Sequence, residues 1–154
     1  MKAQSINPFV SSATEVLKAE CGVTVKRNGK LTLSTDAATP MEVTAMIGVT
    51  GDLQGIALYS MSESIALPFF STMLGEEAID FDDLARSAIG ELGNMIIGRS
   101  AILLEKAGFS CELTPPSIIE GKGTLILSVE LPKLVLPLTS ERGEFVINIG
   151  LQTA

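Results

Sequence analysis

Residues 87–94 read SAIGELGN, and they fall inside the longest helical pattern of the chain. Advancing about 100° per residue from residue 80 brings Ala85, Ile89, Leu92, Ile96, Leu103 and Ala107 onto one side, the core face of a long helix. Ser87, Glu91 and Asn94 fall opposite, at i, i+4 and i+7, in single file over about 10 Å of helix axis. Gly98 continues the file and Gly90 lies beside it. Glycine lowers helix propensity and serine and asparagine offer competing hydrogen bonds, so local stability does not explain the choice of these residues. Either the glycines let a partner's backbone approach Glu91 and Asn94, or they serve close packing and the polar residues are merely solvated. Periodicity leaves both open.

Working outward, the acidic run EEAIDFDD (76–83) opens this helix, with Asp80, Asp82 and Asp83 placed to favour its dipole and cap free N–H groups. It reads as a helix start rather than a metal site. Before it, SESIALPFFSTMLG (62–75) predicts a helix with Ser62 as N-cap, Phe69, Met73 and Leu74 packing, Pro68 kinking it and Gly75 ending it. Alternation at Val43, Ala45, Ile47 and Val49, a turn at Thr50-Gly51-Asp52 and a strand over 55–61 predict a hairpin. A first helix is predicted over 7–21, with Pro8 in its first turn, Gly22 just past its end and Phe9, Ala13, Val16 and Leu17 on its apolar side. The stretch between it and the hairpin, VKRNGKLTLSTDAATP, is polar and turn-rich.

After the long helix, CELTPPSII, the series Leu125, Leu127, Val129, Leu131 and the series Phe145, Ile147, Ile149, Leu151 predict strands, with Pro132 and Pro137 at a bulge or an edge. The order is that of a mixed α/β (α+β-like) fold: a largely antiparallel sheet against long helices. No linker divides the chain, so residues 1–154 are expected to form a single domain.

The 154 residues are 46% hydrophobic and carry a formal charge of −7 without a cluster of Lys and Arg, which disfavours nucleic acid and anionic membrane as partners. Histidine is absent, which removes Ser-His and Cys-His nucleophile pairs and His-built metal sites. Cys21 and Cys111 form no Cys-x-x-Cys spacing and are expected to be reduced. The start MKAQSINPFV lacks a signal peptide's pattern, and no apolar run approaches the ~18 residues of a membrane span. The expectation is a cytoplasmic protein.

Ser87, Glu91 and Asn94 in the pattern Ser-x-x-x-Glu-x-x-Asn, followed by Pro115-Pro116, resemble the signature of the CheC/CheX/FliY family of bacterial chemotaxis phosphatases, most closely the CheX branch. The similarity extends over nearly the whole chain, including MIGVTGDLQGIALYS and SAIGELGNMIIGRS. It implies a CheX/CheC-like fold, a homodimer, and hydrolysis of the aspartyl-phosphate of a CheY-like response-regulator receiver domain without a nucleophile from this chain. On that resemblance Asn94 positions the attacking water and Glu91 pairs with the receiver's active-site lysine. Ser87, Gly90 and Gly98 belong to the docking surface. Magnesium arrives on the receiver, and no cofactor or metal of this chain's own is implied. Pro115 and Pro116 read as a rigid connection.

The first helix carries Ser11, Glu15 and Lys18 at the same spacing, and Pro40 follows Lys18 as Pro116 follows Asn94, all at an offset of 76 residues. Two pseudo-duplicated halves are permitted. Lys18 has donors but no acceptor, so this is a degenerate second site, and one working site per chain is expected. The rival to catalysis is a receiver-binding module or flagellar-switch adaptor using the same face. A purely structural dimer with paired edge strands is the further alternative, against which the prolines count.

Overall fold

The computed structural model describes residues 2–77, 80–126 and 131–154. The chain forms α1 (Ala3–Cys21), β1 (Lys26–Arg27), β2 (Thr32–Ser34), β3 (Val43–Gly51), β4 (Leu53–Met61), α2 (Glu63–Leu74), α3 (Asp83–Lys106), β5 (Cys111–Leu113), β6 (Ser117–Glu120), β7 (Lys133–Ser140) and β8 (Gly143–Thr153). The strands make one sheet in the order β1-β7-β8-β4-β3-β5, with β2 also on β7 and β6 also on β3. Every named pairing is antiparallel.

The predicted hairpin is present, with Val49 opposite Gly55 and Val43 opposite Met61, although its second strand begins at Leu53. Val43, Ala45, Ile47 and Val49 join Ala57, Tyr59, Phe145, Ile147, Ile149 and Leu151 in the main core with the helices. On the opposite face, Ile56, Leu58 and Ile126 form a smaller cluster. β4 lies between β3 and β8 and is buried on both faces, which explains its run of apolar residues where an edge strand would alternate. The Tyr59 hydroxyl donates to the Phe9 carbonyl at 3.1 Å, tying this central strand to α1.

The element order repeats: a helix, two short strands and a hairpin, then α2, then a helix, two short strands and a hairpin. The short strands of each half lie on the other half's hairpin, β1 and β2 on β7, β5 and β6 on β3, while β4 and β8 meet in the middle. The offset of 76 does not persist through the strands, because the hairpins begin farther apart, at Val43 and Lys133. Pro40 follows β2 whereas Pro116 precedes β6, so the proline match is not a structural equivalence.

Several expectations are corrected. α1 begins at Ala3, so Pro8 lies inside the helix rather than in its first turn; it is buried beside Phe9 in the core, and that packing offsets the lost backbone donor. Ser12 Oγ donates to the Pro8 carbonyl. The polar stretch after α1 contributes β1 and β2, too short for periodicity to show. Of the series 125–131, Leu125 makes only an isolated bridge with Ala38, Leu131 is in no strand, and Leu127 and Val129 lie outside the described residues. The strand is Lys133–Ser140 and runs through Pro137. The Pro137 carbonyl accepts from Asn28 N at 2.9 Å, so the proline's donorless side faces the break between β1 and β2 instead of β8.

Ser62 is the N-cap residue of α2, as expected, but its hydroxyl makes no capping bond and instead lies 2.9 Å from Ser64 Oγ. Gly22 and Gly75 end α1 and α2 at φ of 65° and 70°, the left-handed conformation that glycine adopts without a side-chain clash. Both cysteines are free, Cys21 buried and Cys111 half-buried. Among the described residues no helix is long and apolar enough to cross a membrane.

Candidate functional site

Asp82, one of the three aspartates expected to favour or cap the helix start, opens α3 by accepting from Ala85 N at 3.0 Å. The helix buries Ala85, Ala88, Ile89, Leu92, Ile96, Ser100 and Leu104. At its C-terminal end the buried line runs 92–96–100–104, so Leu103 is only half-buried and Ala107 is the exposed C-cap, contrary to the sequence expectation. Successive i+4 steps form a ridge that slants around the axis, and α3 packs along that ridge.

Ser87, Glu91, Asn94 and Gly98 are all exposed on the other side, and Gly90 is half-buried beside them. The structure therefore assembles the file that the spacing predicted. Among the described residues the side chains of Glu91 and Asn94 enter no intramolecular hydrogen bond or ion pair. A β-carbon added at Gly90 or Gly98 would meet nothing within 4 Å. At Gly93 it would fall 2.9 Å from Cβ and Cγ of Pro116. The helix glycines thus divide: Gly93 serves packing against the connection between β5 and β6, while Gly90 and Gly98 leave open space beside Glu91 and Asn94.

Of the pair Pro115-Pro116, Pro116 packs close against Gly93 and so buttresses the helix that carries the file, while Pro115 is exposed. Next to it Thr114 is fixed to β3, its N donating to the Gly48 carbonyl at 2.9 Å and its Oγ1 accepting from Gly48 N at 2.8 Å. At the start of α3, Arg86 Nε reaches Glu120 of β6 at 2.6 Å and its Nη1 reaches Asp83 at 2.8 Å. The hydrogen bond to Glu120 leads the influences that raise the guanidinium's pKa. Arg86 also lies 5.6 Å from the Phe81 ring centre. These contacts tie helix, loop and β6 together, so Glu91 and Asn94 project from a braced surface.

On α1, Ser11, Glu15 and Lys18 are likewise exposed in a file. Here Arg99 of α3 reaches across, its Nε 2.8 Å from Glu15 Oε2. Sequence reasoning missed Arg99, the link between Arg86 and Glu120, and the fit of Pro116 to Gly93. Each joins residues that only tertiary packing brings together. Among the described residues no group of three or more His, Cys, Asp or Glu side chains could hold a metal ion.

The family model described as "Chemotaxis phosphatase CheX" matches residues 43–139. The chain is 34% identical over 155 residues, covering 99% of both sequences, to a Thermotoga maritima protein named CheY-P phosphatase CheX. A CheC-like superfamily protein from Shewanella sp. PV-4 superposes with a TM-score of 0.87 at 29% identity, covering 99% of both chains. The CheX in a CheX–CheY–BeF3–Mg2+ complex from Borrelia burgdorferi superposes at 0.77 with 27% identity, over 96% of this chain and 97% of that one. With that fold and the polar file of α3, the chain belongs to the CheX chemotaxis phosphatase family.

Proposed function

We propose that this chain hydrolyses the aspartyl-phosphate of a CheY-like receiver domain, with Asn94 positioning the attacking water and Glu91 holding the receiver's active-site lysine. The observation that carries the proposal is a carboxylate and an amide, one turn apart on a braced helix, both exposed and, among the described residues, without hydrogen-bond or ion-pair partners. The open space at Gly90 and Gly98 lets another protein's backbone come close to them.

The reaction needs little from this chain except placement. Water attacks phosphorus in line with the bond to the aspartate oxygen, that bond breaks, the carboxylate leaves, and inorganic phosphate carries the water oxygen away. Transfer of this kind is governed by alignment and charge stabilisation. The Asn94 amide offers an acceptor for a water hydrogen and a donor for a phosphoryl oxygen while remaining neutral, so it does not repel the phosphoryl charge. Glu91 carries the formal charge that suits a lysine and fixes the register of the two proteins. Magnesium held by the receiver would neutralise phosphoryl oxygens there. The related Borrelia burgdorferi CheX was crystallised with CheY, Mg2+ and beryllofluoride, the last standing in for a phosphoryl group.

The test is the decay of phosphorylated CheY-like receivers, followed with and without the protein. Accelerated phosphate release from at least one receiver supports the proposal. Tight binding of phosphorylated receivers without acceleration would establish the adaptor alternative instead.

A further inference from the structure

Two large apolar side chains on α3 remain in water, and both stand on the file that carries Glu91 and Asn94. Leu84 is 49% exposed and Ile102 is 52% exposed. At about 100° per residue, Leu84, Ser87, Glu91, Asn94, Gly98 and Ile102 stay within one sector of the helix. Leu84 and Ile102 are five turns apart, so they share an azimuth and bracket the polar residues across about 27 Å. Ile102 borders a hollow of about 420 Å³, lined also by Ala101, Glu105, Phe109 and Cys111. Leu84 adjoins Asp83, whose side chain is fully exposed.

The first helix supplies an internal contrast. Among the described residues α1 exposes no large apolar side chain; the residue that corresponds to Leu84 at the motif offset is Pro8, and it is buried. Apolar brackets accompany only the file with an asparagine.

We infer that the receiver-docking surface runs the length of α3, with Leu84 and Ile102 as its two apolar anchors and the Ile102–Phe109 hollow receiving an apolar side chain of the receiver. The inference rests on the role proposed for Glu91 and Asn94, with which the anchors are continuous. Its dimensions fit: a specific interface takes about 800 Å² from each partner, a patch roughly 30 Å across, close to the distance between the anchors. Asp83, beside Leu84, is already paired with Arg86 at 2.8 Å, whereas Glu105 lines the hollow beside Ile102. The complementary surface therefore sets a cationic group beside the apolar side chain that enters the hollow. Covering each apolar side chain at the ends of the helix adds favourable transfer free energy, while the polar centre sets the geometry.

The experiment compares the full-length protein with Ile102→Glu, Leu84→Glu, Ile102→Leu and Leu33→Glu. The last alters a strand residue that is 69% exposed and lies off α3. Receivers are phosphorylated with acetyl phosphate for kinetics and loaded with Mg2+ and beryllofluoride for binding. Each glutamate substitution on α3 should raise KM, and weaken binding, by about tenfold or more. The kcat should stay within about twofold, Ile102→Leu should restore KM, and Leu33→Glu should have no effect. An Ile102→Glu protein that folds normally with unchanged KM and binding would overturn the inference. Should Ile102→Glu melt early, Ile102→Ser gives the same reading with less disturbance. A wild-type protein that accelerates no receiver would sink the phosphatase proposal, yet the beryllofluoride binding would still decide the anchors.

Discussion

Arg99 Nε lies 2.8 Å from Glu15 Oε2, so the long helix occupies the carboxylate of the first helix that matches its own Glu91. Both side chains are about half exposed, at 54% and 48%, and such a pair contributes at most about 1 kcal/mol. Its importance lies in sign more than strength. Glu15, Lys18 and Arg99 together leave that surface net positive, whereas Glu91 and Asn94 leave theirs negative. On the proposed docking, a receiver lysine would meet repulsion at one file and attraction at the other.

Two changes are therefore needed to revive the first helix. In an Asn94→Ala background, Lys18→Asn alone should leave dephosphorylation at the Asn94→Ala rate, because Arg99 still holds Glu15. Adding Arg99→Ala should recover a measurable part of it. Lys18→Ala in otherwise wild-type protein should keep full activity; a folded Lys18→Ala protein that had lost most of its rate would place Lys18 in the mechanism.

Glu91→Ala should raise the KM for the phosphorylated receiver, and Glu91→Lys should raise it further, since the new ammonium opposes the receiver's lysine. Steady-state kinetics on the two variants checks the order. Normal turnover and KM for Glu91→Lys would remove the ion pair from the account.

The three helix glycines separate by experiment. Gly93→Ala pushes a methyl group against the Pro116 ring and should cost about 1–3 kcal/mol of stability. Gly90→Ala and Gly98→Ala meet open space and should stabilise the helix by up to about 1 kcal/mol each, while weakening receiver binding. Denaturant titration and binding, measured on the same samples, should move in opposite directions for these two. Unchanged binding would mean that no partner approaches there.

Much of this arrangement was legible in the sequence because helix periodicity places Ser87, Glu91, Asn94 and Gly98 together without tertiary information. The β3–β4 hairpin was legible for the same reason, through its alternation and turn. β1 and β2 were not, since strands this short show no period. Nor was the strand through Pro137, whose missing donor falls where the neighbouring ribbon is broken. Arg99 reaches Glu15 only because α1 and α3 pack together, a relation that local spacing does not contain.

Burial pushes the Cys21 thiol up from about 9 to about 11, with Glu20 adding to the rise. The folded chain holds this proton more tightly than the unfolded chain. The corresponding stability is complete below pH 9 and is lost as the pH rises through 11, about 2–3 kcal/mol in all. The Tyr59 phenol, raised chiefly by burial, adds to the decline above about pH 10. Denaturant stability measured between pH 8 and 11 should fall, and Cys21→Ala should flatten the lower part of the curve. A wild-type profile flat to pH 11 would contradict this burial effect.

The most direct measurement is single-turnover phosphate release from a phosphorylated CheY-like receiver at saturating concentrations of wild-type or Asn94→Ala protein, with receiver binding and circular dichroism recorded alongside. Asn94→Ala should slow release by roughly 10²-fold or more, the scale for losing one well-placed catalytic hydrogen-bonding group, while folding and binding persist. Release at the wild-type rate by a folded, receiver-bound Asn94→Ala protein would contradict the assignment of the attacking water to Asn94.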